Sequence, residues 1–130
     1  MKTNKDVEDL EKLIGQLHGL HSEISLLAKK APNNGLNAFK LKIVNQVLKN
    51  GNAILTGRYK PLDDFVQFDE IELPTNSDVT MVLAQYMEQA ERFRSDHVTY
   101  YDYEWYYVVD GEASDIRAKA PTKVGPESKK

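Results

Sequence analysis

Residues 76–109 read NSDVTMVLAQYMEQAERFRSDHVTYYDYEWYYVV, and the change of character halfway along this stretch decides the fold. From Val79 the apolar positions advance by four and three residues in turn, through Leu83, Tyr86, Ala90 and Phe93, which keeps one stripe facing a partner helix. His97 and Tyr100 continue the count. Beyond them Tyr100, Tyr101, Tyr103, Trp105, Tyr106 and Tyr107 crowd six rings into eight positions, a density that needs something to bury it. As a strand, Tyr101, Tyr103, Trp105, Tyr107 and Val109 share one face, with Asp102 and Glu104 on the other. As a helix, His97, Tyr101, Trp105 and Val108 form a stripe and the third helix grows to about 30 residues, in an all-α bundle. Rings and paired valines are poor helix formers in series, so the strand is preferred. Asp110-Gly111 then turns the chain towards a second strand at Ser114 to Ala118, closing an aromatic β-hairpin.

Upstream, Val7, Leu10, Ile14, Leu17, His21, Ile24 and Ala28 keep a three-four rhythm, widened by Leu13, Leu20 and Leu27, and predict a long amphipathic helix with coiled-coil character. Gly15 and Gly19 lie off this seam. Ala31-Pro32-Asn33-Asn34-Gly35 stops the helix, and a second helix follows at once, its expected seam Leu36, Phe39, Ile43, Val47 and Ile54, widened by Val44, Leu48 and Leu55. So short a connection makes an antiparallel hairpin. Asn50-Gly51 is a turn signal within this helix, and Gly57 is the expected stop. From Arg58 to Thr75 an acidic connector carries Tyr59, Leu62, Phe65, Phe68, Ile71 and Leu73, apolar enough to pack on the helices, with Phe65, Phe68 and Ile71 spaced for one short helical turn. Pro74 to Asp78 supplies the N-cap of the third helix.

The fold class is therefore mainly α: an antiparallel helical hairpin, a third helix and a C-terminal aromatic β-hairpin. Its 130 residues suit a single helical domain over 1–120, followed by a disordered tail over 121–130 that is rich in Lys, Pro and Gly. Without cysteine, thiolate chemistry and disulfides are out. No apolar run suits a membrane span or signal peptide, which points to a cytoplasmic protein.

The net charge of -3 hides a segregation. Residues 24–62 carry seven bases and no acid, whereas residues 63–91 carry eight acids and no base. Adjacent blocks of opposite sign neutralise one another within a protomer or across a symmetric interface. Three helices also leave apolar stripe uncovered, so a homo-oligomer, most simply a dimer, is expected.

Candidate chemistry is sparse. His18, His21 and His97 would have to converge to hold zinc, which takes three or four ligands, and the neighbouring Glu23 and Asp96 do not sit at a zinc-motif spacing. No metal and no cofactor is expected; a packed His21 setting helix register accounts for that residue. Lys42, Asn45, Lys49 and Asn52 recur on one face of the second helix, where they could meet the phosphates of RNA or of a nucleotide, with tyrosines to stack bases. Arg92-Phe93-Arg94-Ser95-Asp96-His97 resembles in outline the arginine, spacer, histidine signature of HEPN-domain ribonucleases, which are small all-helical dimers. The resemblance covers six residues and departs from the signature at Phe93, where a polar residue usually follows the arginine. It implies His97 as the proton-transfer group and Arg92 as the residue neutralising phosphate charge. Phosphate loops and serine elbows are absent. The leading expectation is thus a non-enzymatic interaction or regulatory protein with a protein partner, meeting it through Tyr101, Tyr103, Trp105, Tyr107, Phe65 and Phe68. An RNA-directed protein, binder or ribonuclease, is the alternative. Trp105, the only tryptophan, is expected to be buried between the hairpin and the helices or at a subunit interface.

Overall fold

The computed structural model describes residues 1–123. Helix α1 spans Asn4–Lys30, α2 Ala38–Ile54 and α3 Asn76–Asp96, and the chain then folds into strands β1 Val98–Tyr101, β2 Glu104–Val109 and β3 Glu112–Arg117. The helices begin where side chains can accept the orphan backbone amides. Thr3 and Asp6 form a reciprocal capping box on α1, Asn37 Oδ1 accepts from Lys40 N, and Thr75 Oγ1 accepts from Asp78 N at 3.1 Å. Among the described residues no helix is long and apolar enough to cross a membrane.

Both α2 and α3 run antiparallel to α1. Asp9, Lys12 and Leu13 of α1 lie beside Asn50, Ala53 and Ile54 at the far end of α2, and Lys40 binds Glu23 at 2.6 Å at the near end. Likewise Asn76 and Ser77 at the start of α3 donate their backbone amides to Asn34 and Pro32, just past the end of α1. A single bridge, Gly35 to Thr75, ties the two connections together. The main core is the layer between the helices, built from Leu13, Leu17, Ile24, Leu41, Val44, Leu48, Val79, Leu83 and Tyr86. The seams expected for α1 and α3 are the buried ones, at Val7, Leu10, Leu17 and Ile24 and at Val79, Leu83, Tyr86 and Ala90. His21 is only half-buried.

For α2 the expected stripe is buried at Leu36, Val44, Val47, Leu48 and Leu55 and is corrected at Phe39 and Ile43. Phe39 is 74% and Ile43 38% exposed, whereas Leu41, Val44, Asn45, Leu48 and Gly51 face inwards. The helix is rotated because two of its inward positions are not apolar. Gly51, read as a turn signal, continues the helix and lets Tyr86 approach so closely that a Cβ there would stand 3.1 Å from the ring. Tyr86 in turn donates its hydroxyl to Asn52 at 2.7 Å. The connector is ordered by the same face: Asn45 donates to Phe68 O at 3.0 Å and accepts from Phe68 N at 2.9 Å, and Asn52 donates to Val66 O at 2.9 Å. Phe65 and Phe68 meet edge to face at 4.9 Å and pack on the core. The one helical turn in this region is a 3-10 turn at Gly57–Tyr59, not at residues 65–71, and Ile71 is 91% exposed.

The aromatic run is not one strand but two, and the C-terminal element is a three-stranded antiparallel meander in the order β1-β2-β3. Tyr100 pairs with Trp105 and Val98 with Tyr107, and the chain reverses at Asp102-Tyr103. Paired residues share a sheet face, so Val98, Tyr100, Trp105, Tyr107 and Val109 point one way. Tyr107 and Val109 cover a second small core with Val7 and Leu10 of α1. The register between β2 and β3 slips between Tyr106 and Val108. Past β3, Thr122 and Lys123 donate their backbone amides to Ser95 Oγ at 3.2 and 3.1 Å, so the chain is held on α3 through residue 123. The remainder of the expected tail lies outside the described residues.

Candidate functional site

Two features remain once the cores are accounted for: the tip of the first β-hairpin and a groove between α1, α3 and the C-terminal segment. The tip is built on a two-residue turn in which both central residues have positive φ, 49° at Asp102 and 67° at Tyr103. That geometry matches the right-handed twist of the strands and normally takes glycine in its second place. The next hairpin of the same sheet makes a turn of the same kind at Asp110 and Gly111, with φ of 54° and 80°. One chain therefore uses Asp-Gly at one turn and Asp-Tyr at the other. Tyr103 is 86% exposed, so its ring is not held there by packing.

Around it stand the other rings. Tyr100 and Tyr101 are 58% and 65% exposed on opposite faces of β1. Tyr100 meets Trp105 edge to face at 5.4 Å, and Tyr101 approaches Tyr106 at 6.5 Å. Trp105 is half-buried against Tyr100 and does not enter the core between sheet and helices. The ring that does is Tyr107, 2% exposed. Near the β1-β2 turn the rings meet in pairs, Tyr100 with Trp105 and Tyr101 with Tyr106. Between Val98 and Arg117 the sequence carries five acids and one base, and that base, Arg117, is ion-paired with Glu104.

The groove encloses about 910 Å³, with Ile14, Gly15 and His18 on one wall and Met87, Glu91 and Arg94 on the other. Its floor is a closed polar network. Arg94, 7% exposed, donates Nε and Nη2 to Glu91 at 2.8 and 2.7 Å, Nη1 to Lys119 O and Nη2 to Ala120 O, both at 2.8 Å. Glu91 also accepts from Thr122 Oγ1 at 2.6 Å. Burial pushes the Glu91 carboxyl up, but the hydrogen bonds from Arg94, Thr122 and Ser95 outweigh it and hold the group at about 2. Tyr107 donates its hydroxyl to Glu11 at 3.2 Å, and burial first, then the Glu11 carboxylate, pushes its pKa to about 12. Because each Arg94 nitrogen already has an acceptor, the guanidinium works as a strut that fastens residues 119–123 to α3.

The remaining sequence candidates do not come together. Arg92 binds Glu88 at 3.1 Å, while His97 caps α3 with Nδ1 on Phe93 O at 2.6 Å and its ring stacked on Phe93 at 4.2 Å. Five residues apart on a helix, Arg92 and His97 lie about 140° from each other around its axis. Tyr59 closes that corner by donating to Asp96 at 2.6 Å, and its own pKa is pushed up to about 12, by burial first and then by Asp96. Of the phosphate-binding set, Asn45 and Asn52 are consumed in holding the connector and Tyr86. Lys42 and Lys49 remain exposed. Among the described residues no three His, Asp or Glu side chains are grouped to hold a metal ion. Sequence reasoning missed the Asp102-Tyr103 turn and the Arg94 network. The first carries no local signal, because tyrosine occupies the glycine position, and the second depends on backbone carbonyls more than 20 residues away. Comparison with protein-family models, with curated proteins and with solved structures finds no match to this chain.

Proposed function

We propose that the chain is a non-enzymatic interaction protein whose aromatic hairpin tip holds a basic segment of a partner protein. The observation that carries this reading is Tyr103: a bulky ring, 86% exposed, in a left-handed backbone conformation that Gly111 fills at the equivalent turn. A conformation that costs free energy and returns no contact within the chain is the kind of local strain that accompanies recognition sites. Tyrosine and tryptophan faces attract guanidinium and ammonium groups. Asp102 sets a carboxylate in the turn beside Tyr103, and the segment from Val98 to Arg117 carries five acids to one base, a balance that favours a cationic segment and repels a phosphate backbone. Exposed rings on a rigid hairpin also bind with little loss of side-chain freedom.

The test is a comparison of peptide binding by the wild-type chain and by a Tyr101→Ala, Tyr103→Gly variant. Arginine-containing peptides should bind the first and lose at least tenfold in affinity for the second, while replacement of arginine by glutamine in the peptide should have a similar effect. Equal binding by both proteins would remove the hairpin from consideration. Tight, salt-dependent binding of short RNA that Lys42→Glu abolishes would instead favour the nucleic-acid alternative.

A further inference from the structure

Strand β1, which carries Tyr100 and Tyr101, is an edge of the sheet, and the ladder fixes which of its backbone groups are left open. In an antiparallel pair, residues that exchange backbone hydrogen bonds alternate with residues that exchange none. Val108 N donates to His97 O at 2.7 Å, and the same register continues through Val98 opposite Tyr107, Thr99 opposite Tyr106, Tyr100 opposite Trp105 and Tyr101 opposite Glu104. Counting from His97, Thr99 and Tyr101 bond to β2, so Val98 and Tyr100 turn their amides and carbonyls to the outer edge. Among the described residues no hydrogen bond reaches those four groups. The two edges of the sheet also differ in how they are guarded. Strand β3 carries Glu112, Asp115 and Arg117, lends Ser114 Oγ to the Ile116 amide at 3.1 Å and slips register against β2; charge and irregular pairing are means by which edge strands refuse a further strand. Strand β1 reads Val98-Thr99-Tyr100-Tyr101, with no charge, no proline and no slip in register.

We infer, resting on the hairpin as the recognition site, that the basic segment of the partner binds as a fourth, antiparallel strand along β1. An apolar residue of that segment stands opposite Tyr100 and exchanges both hydrogen bonds with it. Its side chain falls on the face where Tyr100 meets Trp105 at 5.4 Å. Side chains alternate along a strand, so the two flanking residues stand opposite Thr99 and Tyr101, on the other face, where Tyr101 approaches Tyr106 at 6.5 Å. Arginines at these two places reach the tyrosine faces, and Asp102 in the adjoining turn supplies the opposite charge. The pattern recognised is therefore arginine, apolar residue, arginine, set by the period of a strand and not by positive charge alone.

Titration calorimetry on the full chain tests this with two glycine-flanked peptides of equal composition, one with the core Arg-Val-Arg and one with Arg-Arg-Val. The first should bind at least tenfold more tightly. Methylation of its valine amide, which leaves charge and side chains unchanged, should weaken it at least tenfold. On the protein, Tyr100→Pro and Tyr100→Val both lose the ring, but only proline removes the outward amide, and at such an edge position it breaks no bond to β2. Tyr100→Pro should therefore bind the Arg-Val-Arg peptide at least tenfold more weakly than Tyr100→Val; if circular dichroism shows the proline variant unfolded, the methylated peptide on the wild type decides. Binding that needs Tyr101 and Tyr103 but is indifferent to spacing, to methylation and to proline would overturn the added strand and leave the hairpin as the site. Failure of every arginine peptide to bind the wild type would overturn both.

Discussion

Replacing Tyr103 by glycine should make the protein more stable, a result that few substitutions of an aromatic residue produce. The φ of 67° at Tyr103 lies in the left-handed region, where a side chain with a Cβ costs about 1–2 kcal/mol. Glycine removes that cost but enlarges the freedom of the unfolded chain, which takes back about 0.4–1 kcal/mol. The ring is 86% exposed, so its loss forfeits little burial. The remainder is a gain of about 0.5–1 kcal/mol, or a rise in Tm of roughly 2–4 °C for a domain of this size. Thermal unfolding followed by circular dichroism resolves such a shift. The reciprocal change, Gly111→Tyr, isolates the backbone cost, because a Cβ there meets nothing within 4 Å, and it should lower Tm by a similar amount. The two turns are far enough apart in contacts for the double exchange to return close to wild type. A fall in Tm for Tyr103→Gly would refute the reasoning, since it would mean that the ring stabilises the free chain and that its placement needs no partner to explain it.

Other expectations follow from the same packing. Tyr107→Ala, at 2% exposure, should cost about 3–5 kcal/mol, whereas Trp105→Ala should cost under about 2 kcal/mol; denaturant titrations showing the reverse order would place the tryptophan in the core after all. Gly51→Ala should destabilise, because the new methyl would stand 3.1 Å from the Tyr86 ring, while Gly15→Ala, with open space around it, should stabilise by up to about 1 kcal/mol through helix propensity. A loss of stability in both would contradict this account. Glu91 sets an acid limb: its carboxyl is held at about 2 against an ordinary value of 4.5. Since the folded pKa is the lower, its contribution is present above pH 4.5 and is lost as pH falls towards 2. Urea midpoints measured across that window should drop less steeply for Glu91→Gln than for wild type.

Part of this architecture was written in local patterns. The spacing of Val7, Leu10, Leu17 and Ile24 and of Val79, Leu83, Tyr86 and Ala90 identifies two helices and their buried faces, because a 3.6-residue period and an apolar stripe suffice. The cap within Pro74 to Asp78 and the Asp110-Gly111 turn are equally legible, since each satisfies a backbone requirement within three residues. The strand character of the rings followed from propensity.

Tertiary structure decided what depends on a distant neighbour. The face that α2 turns inwards is set by Gly51 beneath Tyr86 and by Asn45 bonding the Phe68 backbone, contacts that make a glycine and an asparagine core residues and leave Phe39 in water. Tyr107 is the buried ring, and Trp105 is not, because β2 lies over Val7 and Leu10 only at its far end. The candidate tip was invisible for a related reason: nothing in Asp102-Tyr103 announces a turn, and only the pairing of Tyr100 with Trp105 forces the chain to reverse through a conformation that tyrosine disfavours. Periodicity reports which residues prefer burial, but the partner that covers each of them is a property of the assembled chain.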